Sequence, residues 1–100
     1  MYIAMNRFRV MVGQEEVFET LWRNRESYLD EVPGFRMFHL LRGPTGEQST
    51  LFISHSLWKS QQAFENWTNS DAFKKAHLQG RAPEGTYLKH PVFEGFEIIL

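Results

Sequence analysis

Phe35-Arg36-Met37-Phe38-His39-Leu40-Leu41-Arg42, the cluster Gly43-Pro44-Thr45-Gly46 and the run Leu51-Phe52-Ile53-Ser54-His55-Ser56-Leu57-Trp58 decide the fold. Two apolar, aromatic-rich runs separated by Gly and Pro predict a pair of strands joined by a turn. What flanks this hairpin sets the topology. Upstream, Val17, Phe18, Leu21, Trp22, Tyr28 and Leu29 recur with a period of about 3.6 residues and predict one helix over 14–29, stopped by Pro33-Gly34. Earlier still, Tyr2 to Met11 reads as a strand with both faces partly covered: Tyr2, Ala4, Phe8 and Val10 share a face with Asn6, and Ile3, Met5 and Met11 share the other with Arg7 and Arg9. Downstream, Ser60 caps a helix with Ala63, Phe64 and Trp67 on one face. Ser70 or Asp71 opens another, in which Phe73, Ala76 and His77 fall at i, i+3 and i+4. Residues 79–90, with Gly80, Pro83 and Gly85, read as a loop, and 91–100 as a closing strand with Val92, Phe96, Ile98 and Leu100 alternating.

The order β-α-β-β-α-β predicts an α+β, ferredoxin-like domain over 1–100: a four-stranded antiparallel sheet with its helices on one face. The apolar residues of the opposite face then need cover, and a second copy in a two-fold dimer supplies it, giving a barrel-like α/β core.

Composition narrows the function. The 100 residues are 42% hydrophobic, 15% aromatic and 23% charged, with a formal net charge of −1. So many aromatics in a short chain need a core, a pocket or an interface to occupy. The absence of cysteine excludes disulfides, thiolate metal sites and cysteine nucleophiles. Lys74-Lys75 is the one adjacent basic pair, so no phosphate-binding surface for nucleic acid is expected. An RNA-recognition module shares this element order, but its aromatic signature is missing from the strand over 50–57. No apolar run approaches the roughly 20 residues of a membrane span, and a cytoplasmic location is expected.

Three residues stand out chemically. His77 is the first, because a helical imidazole beside Phe73 and Ala76 can be presented to an apolar cavity; the alternative is an ordinary half-buried helix residue. Asn6 interrupts a hydrophobic strand face and needs partners, either backbone and water or a wet cleft. Trp67 on an amphipathic helix belongs to the core or presses on a flat ligand. Arg25 falls on the predicted helical stripe, about 80° round from Val17, where a charge must snorkel or find an anion. Arg81 follows His77 in a Gly/Pro-containing loop, as part of a lid or as a solvated side chain. His39, His55 and His90 read as structural or surface residues.

The segment from Trp58 to His77 carries the pattern W-x-S-x-x-A-F-x-x-W-x-x-S-x-x-F-x-x-A-H. It resembles the central motif of haem-degrading monooxygenases of the IsdG type, within the antibiotic biosynthesis monooxygenase superfamily. Asn6-Arg7 and Val32-Pro33-Gly34-Phe35 extend the likeness over nearly the whole chain. The resemblance implies His77 as the proximal ligand of haem iron, Asn6 as a distal hydrogen-bond donor and Trp67 as the ring that distorts the porphyrin. Phe73 would line the haem cleft. Arg25, read from its place on the stripe, either meets a haem propionate at the pocket rim or forms a structural ion pair. Haem would be both substrate and cofactor, with O2 and an electron-donating reductase completing the reaction. Two alternatives stay open: a cofactor-free monooxygenase of a small aromatic or quinol, and a non-enzymatic haem-binding protein.

Overall fold

A computed structural model describes residues 1–25, 28–79 and 81–100. Strand β1 spans Tyr2–Met11, helix α1 Glu15–Asn24, a 3-10 turn Leu29–Glu31, β2 Phe35–Thr45, β3 Ser49–Trp58, α2 Gln61–Thr68, α3 Asp71–Gln79 and β4 Val92–Glu97. The four strands form one antiparallel sheet in the order β2-β3-β1-β4. This is the expected ferredoxin-like arrangement, with the second helical region split into α2 and α3.

The alternation in β1 works as the sequence implies. Tyr2, Ala4, Phe8 and Val10 are buried on the inner face, where two clusters hold the helices. Phe8, Val10 and Phe52 receive Phe18 of α1; Tyr2, Ala4 and Trp58 receive Ala63, Phe64 and Trp67 of α2. Both helices therefore cover one face. Ile3, Met5, Ile53 and Leu57 lie on the other, with Met37 and Leu41 at 44% and 43% exposure.

Three boundaries differ from expectation, each for a local reason. The hairpin does not turn at Gly43-Pro44. Edge strand β2 continues to Thr45 through a register shift between Arg42 and Thr45, where a proline without an N–H is tolerated. The turn comes later, closed by Gly46 N–H donating to Ser49 O (2.8 Å) and by the Thr45–Thr50 hydroxyl pair (2.8 Å). Helix α1 ends at Asn24 instead of 29: Arg25 is extended (ψ 123°) and Tyr28 is left-handed (φ 54°). The part of the predicted helix at 26–27 lies outside the described residues, as does Gly80 of the predicted loop. Val17 and Tyr28, expected on the buried stripe, are exposed at 41% and 63%. Finally, β4 stops at Glu97, short of the expected Leu100.

Local chemistry fixes the helices to the sheet. Glu15 accepts from Gly13 N–H (2.7 Å) and from the Thr50 hydroxyl (2.9 Å), while Glu19 pairs with Arg42 across to β2 (2.8 Å). Ser60 caps α2 as predicted, accepting from Ala63 N–H at 3.1 Å. The Pro33-Gly34 corner is tight. Gly34 has φ +85° and a Cβ there would stand 2.5 Å from the Ala63 Cβ. Gly34→Ala therefore combines a left-handed backbone with an overpacked contact and is expected to cost about 1–3 kcal/mol. A urea midpoint equal to that of the parent protein would contradict this account of the corner.

Candidate functional site

Between the inner sheet face and the helices lies a cavity of about 820 Å³, within the roughly 300–1,000 Å³ range of small-molecule and cofactor sites. Its floor is β1 (Ala4, Asn6, Phe8) and β3 (Ser54, Ser56, Trp58), with Phe38 of β2. Its walls are Trp22 and Arg25 on one side, and Phe64, Trp67, Phe73 and His77 on the other. Arg81, Tyr87, His90 and Phe93 complete it.

The aromatic motif positions form one line of contacts. Trp58 is fully buried, and its indole N–H donates to the Ser56 hydroxyl (2.9 Å). Its ring lies 5.5 Å from Trp67, which meets Phe73 edge-on at 4.7 Å, and Phe73 lies 5.5 Å from the His77 imidazole. Such pairs contribute about 0.5–1.5 kcal/mol each beyond their area. Ser70 fixes the angle between the two helices: its hydroxyl donates to Trp67 O (2.5 Å) and accepts from Phe73 N–H (3.2 Å). Both motif serines thus cap helices, and Ala76 is the small residue that packs α3 inward at 1% exposure.

Arg25 reaches the cavity differently from the sequence expectation. It is the first residue past α1, not a member of its stripe. Its guanidinium carbon lies 4.7 Å from the Trp22 ring centre, and Trp22 in turn stacks on Phe38 at 5.5 Å. The contact is a cation–π interaction. Among the described residues, Arg25 Nε and Trp67 Nε1 are buried without a hydrogen-bond partner. Burial lowers the Arg25 pKa, partly countered by Tyr87, but a guanidinium remains charged in proteins. The cavity thus offers aromatic walls, two unspent donors and a half-buried cation, a set that suits a flat apolar molecule with anionic groups.

Asn6, Arg25, Trp67, Phe73 and His77 all line this single cavity, and Arg81 stands at it too. His90 is exposed, as a surface residue is expected to be, and it also lines the cavity, because residues 86–97 run back along β1, with Val10 bridged to Tyr87 and Leu88 N–H donating to Arg9 O. The same return brings in Tyr87 and Phe93, which sequence spacing does not single out. Ser54 and Ser56 become legible as inner-face residues only through the β1–β3 register. His39 and His55 lie on the outer face with rings 6.3 Å apart.

Residues 1–79 match the family model of antibiotic biosynthesis monooxygenases. A heme oxygenase (mycobilin-producing) of Mycobacterium tuberculosis is 31% identical, over 98% of this chain and 89% of its own length. The solved structure of the heme-degrader MhuD from Mycobacterium tuberculosis, with two hemes bound in its active site, superposes with a TM-score of 0.75 at 27% identity, covering 100% of this chain and 97% of its own. SnoaB, a cofactor-independent oxygenase from Streptomyces nogalater, shares the fold with a TM-score of 0.73 at 18% identity, covering 99% and 93%.

One ionisation in the cavity is measurable directly. Burial raises the Tyr87 phenol above the ordinary tyrosine value near 10, with Arg25 pulling the other way. The neutral phenol is the form the fold favours, so this stabilisation is complete below pH about 10 and is lost as pH rises through the folded value. Alkaline titration followed at 295 nm is expected to lose a late-ionising component in Tyr87→Phe. Loss of an early component instead would contradict the burial of this group.

Proposed function

The chain belongs to the antibiotic biosynthesis monooxygenase family, and from that premise we propose that it is a haem-degrading monooxygenase of the IsdG type. It binds haem in the cavity and uses O2 and electrons from a reductase to open the porphyrin ring and release iron in the cytoplasm. The observation that carries this reading is the convergence of Asn6, Arg25, Trp67 and His77, distant in sequence, on one aromatic-walled cavity of about 820 Å³. Homology to a mycobilin-producing heme oxygenase supports it.

When bound, haem supplies the iron at which O2 is activated and the ring that is attacked. The chain's own residues orient and strain it. His77 stands on α3 at the cavity wall and would hold the iron through an imidazole nitrogen. Asn6 faces the cavity from the sheet and donates an amide hydrogen bond without being an acid. Trp67 is held between Trp58 and Phe73, so its indole would keep its place against a bound macrocycle and would strain it. Arg25, with a buried unpartnered Nε, pairs with a propionate.

The outer sheet face completes the proposal. Ile3, Met5, Met37, Leu41, Ile53 and Leu57 present apolar side chains there, with His39 and His55 among them, and a second copy covers this face in a homodimer. Sedimentation equilibrium at micromolar concentration is expected to give twice the chain mass, and a monomer would remove the dimer from the proposal.

Hemin titration tests the central reading. A saturable Soret shift is expected in the parent protein and is lost in His77→Ala. With catalase present, reductant and O2 should yield a ring-opened pigment by mass analysis. Asn6→Ala should bind hemin without opening it, and Trp67→Ala should turn over more slowly with a flatter porphyrin. Absence of any saturable shift points instead to cofactor-free oxygenation of a small aromatic. Haem that stays intact under reductant and O2 points to a binding protein.

A further inference from the structure

Three polar side chains stand on the cavity floor, and their states differ. Ser56 is spent: its hydroxyl donates to Ala4 O (3.3 Å) and accepts from Trp58 Nε1 (2.9 Å). Asn6 and Ser54 make no side-chain hydrogen bond among the described residues. Ser54 is only 6% exposed as a residue, yet its hydroxyl is not among the fully buried partnerless side-chain atoms of the described residues, which are Arg25 Nε, Trp67 Nε1 and Thr86 Oγ1. The little surface it keeps therefore includes that oxygen. Leu40 stands opposite on β2, and the fully enclosed Phe52 lies two residues before it on the same face. Its polar neighbours on that face are Asn6 and Ser56, and Ser54 lines the cavity with them.

Ser54 is also the register partner of Asn6 in the β1–β3 ladder. Directly opposed residues on one face of an antiparallel pair place their Cβ atoms roughly 4.5–5.5 Å apart. Two unspent polar groups therefore stand side by side on the floor, with the hydroxyl of Ser56 already committed, across the cavity from the helical wall that includes His77. One donor limits how far a small bound molecule sits from the sheet. Two adjacent donors also limit the direction in which it tilts.

We propose that the Ser54 hydroxyl is a second hydrogen-bonding contact beside Asn6 for the small oxygen-containing ligand that binds the iron, and that together they set its tilt. This rests on the haem reading above. A serine hydroxyl donates and accepts at once, so Ser54 can hold the ligand directly or hold a water that does so. Either arrangement makes Ser54 a specificity-determining residue for the edge of the ring that is attacked.

The test uses the full hemin-loaded chain and two probes besides turnover, with parent protein, Ser54→Ala, Ser54→Thr and Asn6→Ala compared. Cyanide binding to the ferric form is expected to weaken roughly three- to tenfold in Ser54→Ala, the size of one lost hydrogen bond, with hemin affinity unchanged. Ser54→Thr should restore it. The infrared stretch of carbon monoxide on the ferrous form should rise in Ser54→Ala, in the same direction as in Asn6→Ala. Parent-like cyanide affinity and stretch in Ser54→Ala, with hemin bound, would overturn the role of Ser54 and leave the haem reading standing. Absence of saturable hemin binding in the parent overturns both. Should Ser54→Ala fold poorly, Ser54→Cys, close in size and a weak donor, is held to the same two readouts.

Discussion

The contact between the Trp58 and Trp67 indoles, 5.5 Å apart, is the one on which the site depends. Trp58 is anchored in the sheet, fully buried, with its N–H committed to Ser56. Everything on the helical wall is referred to it in sequence: Trp67 to Trp58, Phe73 to Trp67, His77 to Phe73. The imidazole has no hydrogen bond of its own to the sheet among the described residues. Its position is set by ring packing and by the Ser70 hydroxyl that joins the carbonyl of Trp67 to the N–H of Phe73. A polar side chain is thus positioned by apolar means, in keeping with a cavity whose walls are aromatic.

The aromatic content finds its explanation here. Nine of the 15 aromatic residues line the cavity: Phe8, Trp22, Phe38, Trp58, Phe64, Trp67, Phe73, Tyr87 and Phe93. Several belong to the core as well, since Phe8 packs on Phe18 at 5.2 Å while facing the cavity. Core and pocket share walls, so a small chain can enclose a large space without giving up its packing. Only the polar residues between the rings decide what enters.

Much of this architecture is legible in the order of the residues. The β-formers from Tyr2 to Met11 mark β1 to its boundaries, and the helix caps at Ser60 and Ser70 are visible because hydroxyls accept the N–H groups that a first helical turn leaves free. The fixed spacing from Trp58 to His77 carries the helical wall, since spacing within one helix pair is local information. The departures are equally physical. The end of α1 depends on backbone angles at Arg25 and Tyr28 that periodicity does not register, so Arg25 reaches the expected cavity by a route that its place on a stripe does not describe. The hairpin turn comes late because Pro44 sits on an edge strand, where the missing N–H costs no ladder bond. Tyr87 escapes a sequence reading because it reaches the cavity through a bridge to β1, about 80 residues away in the chain, with His90 carried along in the same return, and no local pattern records such a pairing.

The cavity's two sides also differ in how they are held. Asn6 lies on β1, paired along both edges by β3 and β4, so the backbone that carries its side chain moves only with the sheet. The opposite side is α3, with Ala76 as its fully enclosed residue among those described, followed by the largely exposed stretch 81–85. Segments of that kind open at a small fraction of the global unfolding free energy. Opening on that side would leave the register of the floor intact, so access to the cavity is separated from the integrity of the fold.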